Sequence, residues 1–218
     1  MEHQIATLHP QRLWHYFLEI CKIPHPSKKE DRLAAWLLGF ARDHGLEGLR
    51  DETGNVLIRK PAMPGYEDRK TVILQSHLDM VCEKNSDTPH DFDNDPIQPW
   101  IDGDWIKAKG TTLGADDGIG IAASLAILEA TDIPHGPIEA LFTVDEETGL
   151  TGAFGLNPDL LKGRILLNLD SEDEGQIFIG CAGGRDSVGM IPLETIPVSP
   201  TAVAYKVAVT GLKGGHSG

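Results

Sequence analysis

Residues 71–79 read TVILQSHLD, an apolar run that ends on a serine, a histidine and an aspartate. The unbroken apolar stretch Thr71–Gln75 suits a strand covered on both faces, as in the middle of a parallel sheet. Ile138–Val144 and Arg164–Leu169 are also apolar strands, and Asn55–Arg59 is a short one after the turn signal Thr53-Gly54. Helical spacing surrounds them. Residues 10–23 carry Leu13, Phe17, Leu18 and Ile20, and Pro24 and Pro26 end that element. Residues 28–43 place Leu33, Trp36, Leu37 and Phe40 on one face, with Gly45 just beyond. Residues 117–130, DGIGIAASLAILEA, read as a buried, Ala-rich helix, and residues 85–110 as a long polar loop with a short hairpin near Trp105. Strands alternating with helices predict an α/β fold: a mixed, mainly parallel sheet flanked by helices.

The chain has 218 residues, enough for one full domain and part of a second at roughly 100–200 residues each. Asp and Glu number 33 against 19 Lys and Arg, a net charge of −14 that repels a phosphate backbone and argues against nucleic acid as a partner. No run approaches the length of apolar sequence that spans a membrane. The start, MEHQIATLHPQRLWHYF, carries charge and histidines where a signal peptide needs an apolar stretch. Cys21, Cys82 and Cys181 are scattered with no CxxC, which suits a reducing compartment. The expected location is cytoplasmic. The nucleophile-elbow, HExxH and Walker A patterns are all missing.

In open α/β sheets, sites collect where strands end. His77 and Asp79 follow the first strand, Asp145, Glu146 and Glu147 the second, and Asp170 the third, while Asp116 and Asp117 open the Ala-rich helix. In an extended segment, residues two apart point to one side, so His77 and Asp79 can face one centre. Taken singly, each group has a plainer reading: a structural histidine, a helix cap, a solvated loop, a polar turn. If Asp79, Asp116, Glu146, Glu147 and Asp170 converge, they form a carboxylate cluster. Two like charges 4 Å apart repel by about 4 kcal/mol at an effective dielectric of 20. Such a cluster protonates or takes up cations, and two divalent ions would compensate it and activate water for hydrolysis. Adjacent Glu146 and Glu147 can divide the work, one holding metal and one moving a proton.

SHLDMV at 76–81, TTLGADDGIGIA at 111–122, DEETG at 145–149 and LNLDSEDEG at 167–175 resemble the M20 metallopeptidases. Within them the sequence is similar to the aminoacyl-histidine (Xaa-His) dipeptidase branch, also called cytosolic non-specific dipeptidases. LWHYFLEICKIPHPS, HDFDNDPIQPWIDGDWIKAKGTTLGAD and GLKGGHSG extend the likeness over essentially the whole chain. The resemblance implies that His77 and Asp170 bind one zinc, Asp116 bridges two, Glu147 binds the second, and Asp79 orients His77. It implies Glu146 as general base, with Asp117 a cap or support. It also implies that His216, in GGHSG, belongs to a lid domain and reaches the other subunit's site in a homodimer, where it holds the developing oxyanion.

The implied organisation is a zinc-peptidase-like catalytic domain over 1–183 and the start of a smaller α+β lid domain over 184–218, with Ala202–Thr210 as a lid strand. Members of the branch continue well beyond this point, so the chain reads as the N-terminal portion of a longer enzyme and is expected to be weakly active or inactive alone. The implied reaction is hydrolysis of short peptides, favouring Xaa-His dipeptides, with two Zn²⁺, or Mn²⁺ or Co²⁺ in their place. The alternatives are a related M20 tripeptidase or N-acyl-amino-acid amidohydrolase, and a catalytically dead metal- or peptide-binding protein.

Overall fold

The computed structural model describes residues 2–211 apart from 172, 174, 182, 184–186 and 196. The chain divides into two units, Met1–Asp170 and Ser171–Gly218. The first begins with α1 (Glu2–Ile5), α2 (Gln11–Cys21), α3 (Asp31–Asp43), β1 (Glu47–Arg50), β2 (Val56–Lys60) and β3 (Val72–His77). A hairpin of β4 (Pro99–Asp102) and β5 (Trp105–Ala108) precedes α4 (Ala115–Glu129). β6 (Ile138–Thr143), two short helices α5 (Glu146–Gly149) and α6 (Thr151–Gly155), and β7 (Ile165–Asn168) follow.

The main sheet has the order β1-β2-β6-β3-β7. β6, β3 and β7 are parallel, whereas β1 and β2 run antiparallel at one side. Side chains alternate across the strands and divide the core. Val56 and Ile58 of β2, Leu74 of β3 and Ile138, Ala140 and Phe142 of β6 face a large cluster with Phe17, Leu33, Leu37, Ile121 and Leu125 from α2, α3 and α4. Leu57, Ile73 and Leu141 point the other way, against Leu49, Leu156, Leu160 and Leu161. Every residue of β6 is buried, as its unbroken apolar run predicts. The third apolar run differs: β7 is an edge strand, and Ile165, Leu166 and Leu167 are exposed.

Two further differences from the sequence reading have local causes. α3 starts at Asp31 rather than near 28, because Pro26–Lys29 closes a turn and Lys28 takes a positive φ of 67°. β1, EGLR, is a largely exposed strand with no apolar pattern to reveal it.

In the second unit the described residues form no helix or strand, and a turn brings the Ala202 amide to the Ser199 carbonyl at 2.9 Å. Ala202–Thr210, expected as a strand, is not one. Its alternation suits a half-buried strand, but among the described residues none pairs with it, and Val203, Tyr205, Val207 and Val209 are exposed. His216 lies outside the described residues. Among the described residues no helix is long and apolar enough to cross a membrane. Among the described residues no disulfide forms: Cys21 is buried, Cys82 half-buried and Cys181 exposed.

Candidate active site

Parallel pairing brings three strand ends to one edge. His77 of β3 pairs in register with Thr143 of β6, and Gln75 with Asn168 of β7. The residues just past those positions, Asp79, Asp145–Glu147 and Asp170, are therefore neighbours. α4 adds Asp116 and Asp117 from its first turn. Neither is helical there: Asp116 has φ −88° and ψ 105°, Asp117 φ −110° and ψ 33°. Gly114 turns the chain into this segment with φ 72°, and a Cβ on it would stand 2.9 Å from Met80 Sδ. Only glycine tolerates both the conformation and the approach.

His77 is the hub, 1% exposed. Its Nδ1 lies 2.8 Å from the Asp79 main-chain oxygen and 3.5 Å from Asp79 Oδ1. Nε2 points to the carboxylates, 2.9 Å from Asp116 Oδ1 and 3.6 Å from Asp170 Oδ1. An Nδ1–H donated to Asp79 turns Nε2 toward the carboxylates, the orientation a metal-binding imidazole needs. Burial alone would lower the His77 pKa, but the hydrogen bonds to Asp116, Asp170 and Asp79 raise it well above the ordinary value.

Two sets of donor atoms form around this ring. His77, Asp116 and Asp170 bring theirs within 4.8 Å of one another, and so do His77, Glu146 and Glu147. Burial raises the Glu146 pKa, opposed by His77 and reinforced by the charges of Asp170, Asp79 and Asp116. Asp170 is also raised, first by burial and then by its neighbour Asp116. The donor set is one imidazole and four carboxylates at the mouth of a sheet. It fits divalent cations: N and O ligands suit Zn²⁺, Mn²⁺ or Co²⁺, and positive charge relieves the repulsion that raises the acids.

Asp79 is fully buried and faces away from the donors. Its Oδ1 accepts the Glu146 amide at 2.9 Å, and Oδ2 accepts the Glu147 amide at 3.2 Å and the Ser27 hydroxyl at 2.7 Å. Burial works against its charge, but these bonds and His77 hold its pKa down at about 2. Asp117 is buried too and accepts the Gly120 amide, a cap on the regular part of α4. Burial, then the charge of Asp170, pushes it up to about 7.

Glu30 and Asn55, which shape the site, escaped the sequence reading, and Asp145 had a place in it but no role. Glu30 Oε1 accepts the Asp145 amide at 3.1 Å. Asp145 sits at φ 53° and accepts the hydroxyls of Thr148 and Thr151. Asn55 accepts the Val144 amide at 3.1 Å and donates to Gly152 O at 2.9 Å. The partners of Glu30 and Asn55 lie 89 to 115 residues away, and no local spacing announces them.

Comparison with known proteins gives the chain its relatives. The chain is 53% identical to the cytosol non-specific dipeptidase of Escherichia coli over 99% of its own length and 44% of that protein. Its fold is similar to the crystal structure of aminoacylhistidine dipeptidase from Vibrio alginolyticus, with a TM-score of 0.80 and 59% identity over 81% of this chain and 36% of that one. A tripeptidase from Staphylococcus aureus superposes with a TM-score of 0.62 at 30% identity, covering 74% of this chain and 43% of that one. The chain thus spans less than half the length of each. Residues 73–191, more than half of the chain and the whole span from β3 past Asp170, match the family described as Peptidase family M20/M25/M40, and the chain belongs to that family.

Proposed function

We propose that this chain carries the hydrolytic centre of a metal-dependent dipeptidase that favours Xaa-His dipeptides. The observation that carries the proposal is the convergence of two pairs of carboxylates, Asp116 with Asp170 and Glu146 with Glu147, on the buried His77. His77, Asp116 and Asp170 would hold one ion and Glu147 a second, with Asp116 between them. Ions bound there would supply the Lewis-acid charge that polarises a peptide carbonyl and makes water a better nucleophile.

The protein's own groups do the rest. Asp79 fixes the His77 ring through its main-chain oxygen and holds the amides of Glu146 and Glu147 through its carboxylate. Glu146 stands in the His77–Glu146–Glu147 set with a raised pKa. A carboxylate with that bias takes a proton from water and returns it to the leaving amine more readily than an ordinary glutamate. The proposal extends to His216 as a donor to the oxyanion in a second copy's site, within a homodimer, and to a cytosolic location like that in the E. coli relative's name.

Likeness to the S. aureus tripeptidase favours a second reading, cleavage of tripeptides. The higher identities, 53% and 59%, are to proteins named as dipeptidases. A chimera in which this chain replaces the matched part of the E. coli dipeptidase decides between them. The expected result is faster cleavage of a Xaa-His dipeptide than of a tripeptide or an N-acyl amino acid. Glu146→Gln in the chimera should retain metal and lose at least about 100-fold in kcat. Near-normal turnover in that variant would overturn Glu146 as the base, and a preference for tripeptides would overturn the dipeptidase reading.

A further inference from the structure

The turn that carries Glu146 and Glu147 is held in an unusual way. Three consecutive amides, those of Asp145, Glu146 and Glu147, are each accepted by a carboxylate oxygen: Glu30 Oε1, Asp79 Oδ1 and Asp79 Oδ2. Both carboxylates are then tied to one short segment, Pro26–Glu30. Ser27 donates its hydroxyl to Asp79 Oδ2 at 2.7 Å, and Glu30 itself ends the segment. The segment is anchored at its start by a bridge between Pro26 and Met80, next to Asp79. It is shaped by the Lys29 amide on Pro26 O at 2.9 Å and the Lys28 amide on Glu30 Oε1 at 2.8 Å. Lys28 holds a φ of 67°, a conformation that a non-glycine residue keeps only when its surroundings impose it. Glu30 is 6% exposed although it is charged at one end of a helix, so its carboxylate faces the turn rather than solvent.

We propose that Ser27 and Glu30 are positioning residues of the hydrolytic centre. They act through Asp79 and the Asp145 amide, and they set where the Glu146 and Glu147 side chains stand relative to His77. Asp79 has two oxygens for three donors. Without the Ser27 hydroxyl its carboxylate is free to rotate about the Cβ–Cγ bond, and both amide bonds lengthen together. Without Glu30 the first amide of the turn loses its acceptor. Hydrogen-bonded partners behind a metal site typically contribute 10–100-fold to metal affinity or activity.

The inference rests on the reading of the metal centre above, and Co²⁺ titration of the 218-residue chain, followed by visible absorbance, tests it without an activity assay. Ser27→Ala should weaken Co²⁺ binding about tenfold, and Ser27→Thr, which keeps the hydroxyl, should restore it to within about twofold. Glu30→Asp, one methylene too short to reach the turn, should also weaken it. Circular dichroism at the titration temperature should show all variants folded. Unchanged affinity in Ser27→Ala overturns the inference alone, as does a loss that threonine does not restore. A wild-type chain that binds no Co²⁺ overturns the metal centre and the inference with it.

Discussion

His77 carries two opposed demands on one ring: Nδ1 is fixed against Asp79, and Nε2 faces two carboxylates. Its raised pKa means that the ring keeps a proton to higher pH than an ordinary histidine, and a cation entering the cluster must displace it. Metal affinity should therefore keep rising with pH above about 7.5, where an ordinary histidine has lost most of its proton. A profile that is flat above about pH 7.5, read by Co²⁺ titration, contradicts this. Cys82 makes a second residue-scale test. Burial, followed by the charges of Asp93, Asp79 and Glu83, pushes its thiol up to about 11. A raised thiol pKa leaves less thiolate at neutral pH, so alkylation of Cys82 should be slow at pH 8 and still accelerate above pH 9.5. Peptide-resolved mass spectrometry of alkylated protein reads this, and a plateau by pH 9.5 would contradict it. At this scale the sequence exposed the residues that follow strands, because an apolar run stops visibly at SHLD, DEE and LD. It hid Ser27, Glu30 and Asn55. Ser27 meets Asp79 52 residues away and Glu30 meets Asp145 115 residues away, and no local pattern encodes such pairings.

The elements deliver those residues because β3, β6 and β7 are parallel and end together. α4 packs beneath them with Leu125 fully buried. Leu125→Ala should cost about 2–5 kcal/mol through lost burial and the cavity left behind. Chemical denaturation measures this, and a change below about 1 kcal/mol contradicts the packing described. On β6, Glu139 is buried and pairs with Arg59 at 2.9 Å, while its carboxylate accepts the amides of Lys162 and Gly163 ahead of β7. Glu139→Ala strands a half-buried guanidinium and two amides. About 3 kcal/mol is expected, the lower end for a broken buried pair, because Arg59 keeps Glu47 at 2.8 Å. Long apolar or amphipathic elements were legible in the sequence. β1 was not, because four residues of which only Leu49 is half-buried carry no period. Ala202–Thr210 has the period of a strand but no partner among the described residues, and periodicity alone makes no ladder.

Over the whole molecule, the first unit holds every proposed site residue except His216. If His216 donates to the oxyanion in a second copy's site, His216→Ala in the E. coli chimera should lower kcat by about 100-fold or more and leave metal content unchanged. Unaltered kcat would remove His216 from the proposal. The family was legible in the sequence through motifs at the strand ends; the bracing of the turn needed coordinates. All of this depends on His77, Asp116, Glu146, Glu147 and Asp170 meeting at one edge of the sheet. Zinc content of the purified 218-residue chain, by elemental analysis beside a His77→Ala control, tests that meeting most directly. The wild-type chain should hold about one or two zinc ions, and the control close to none. Equal zinc in the two, or none in either, would contradict a metal centre built on His77.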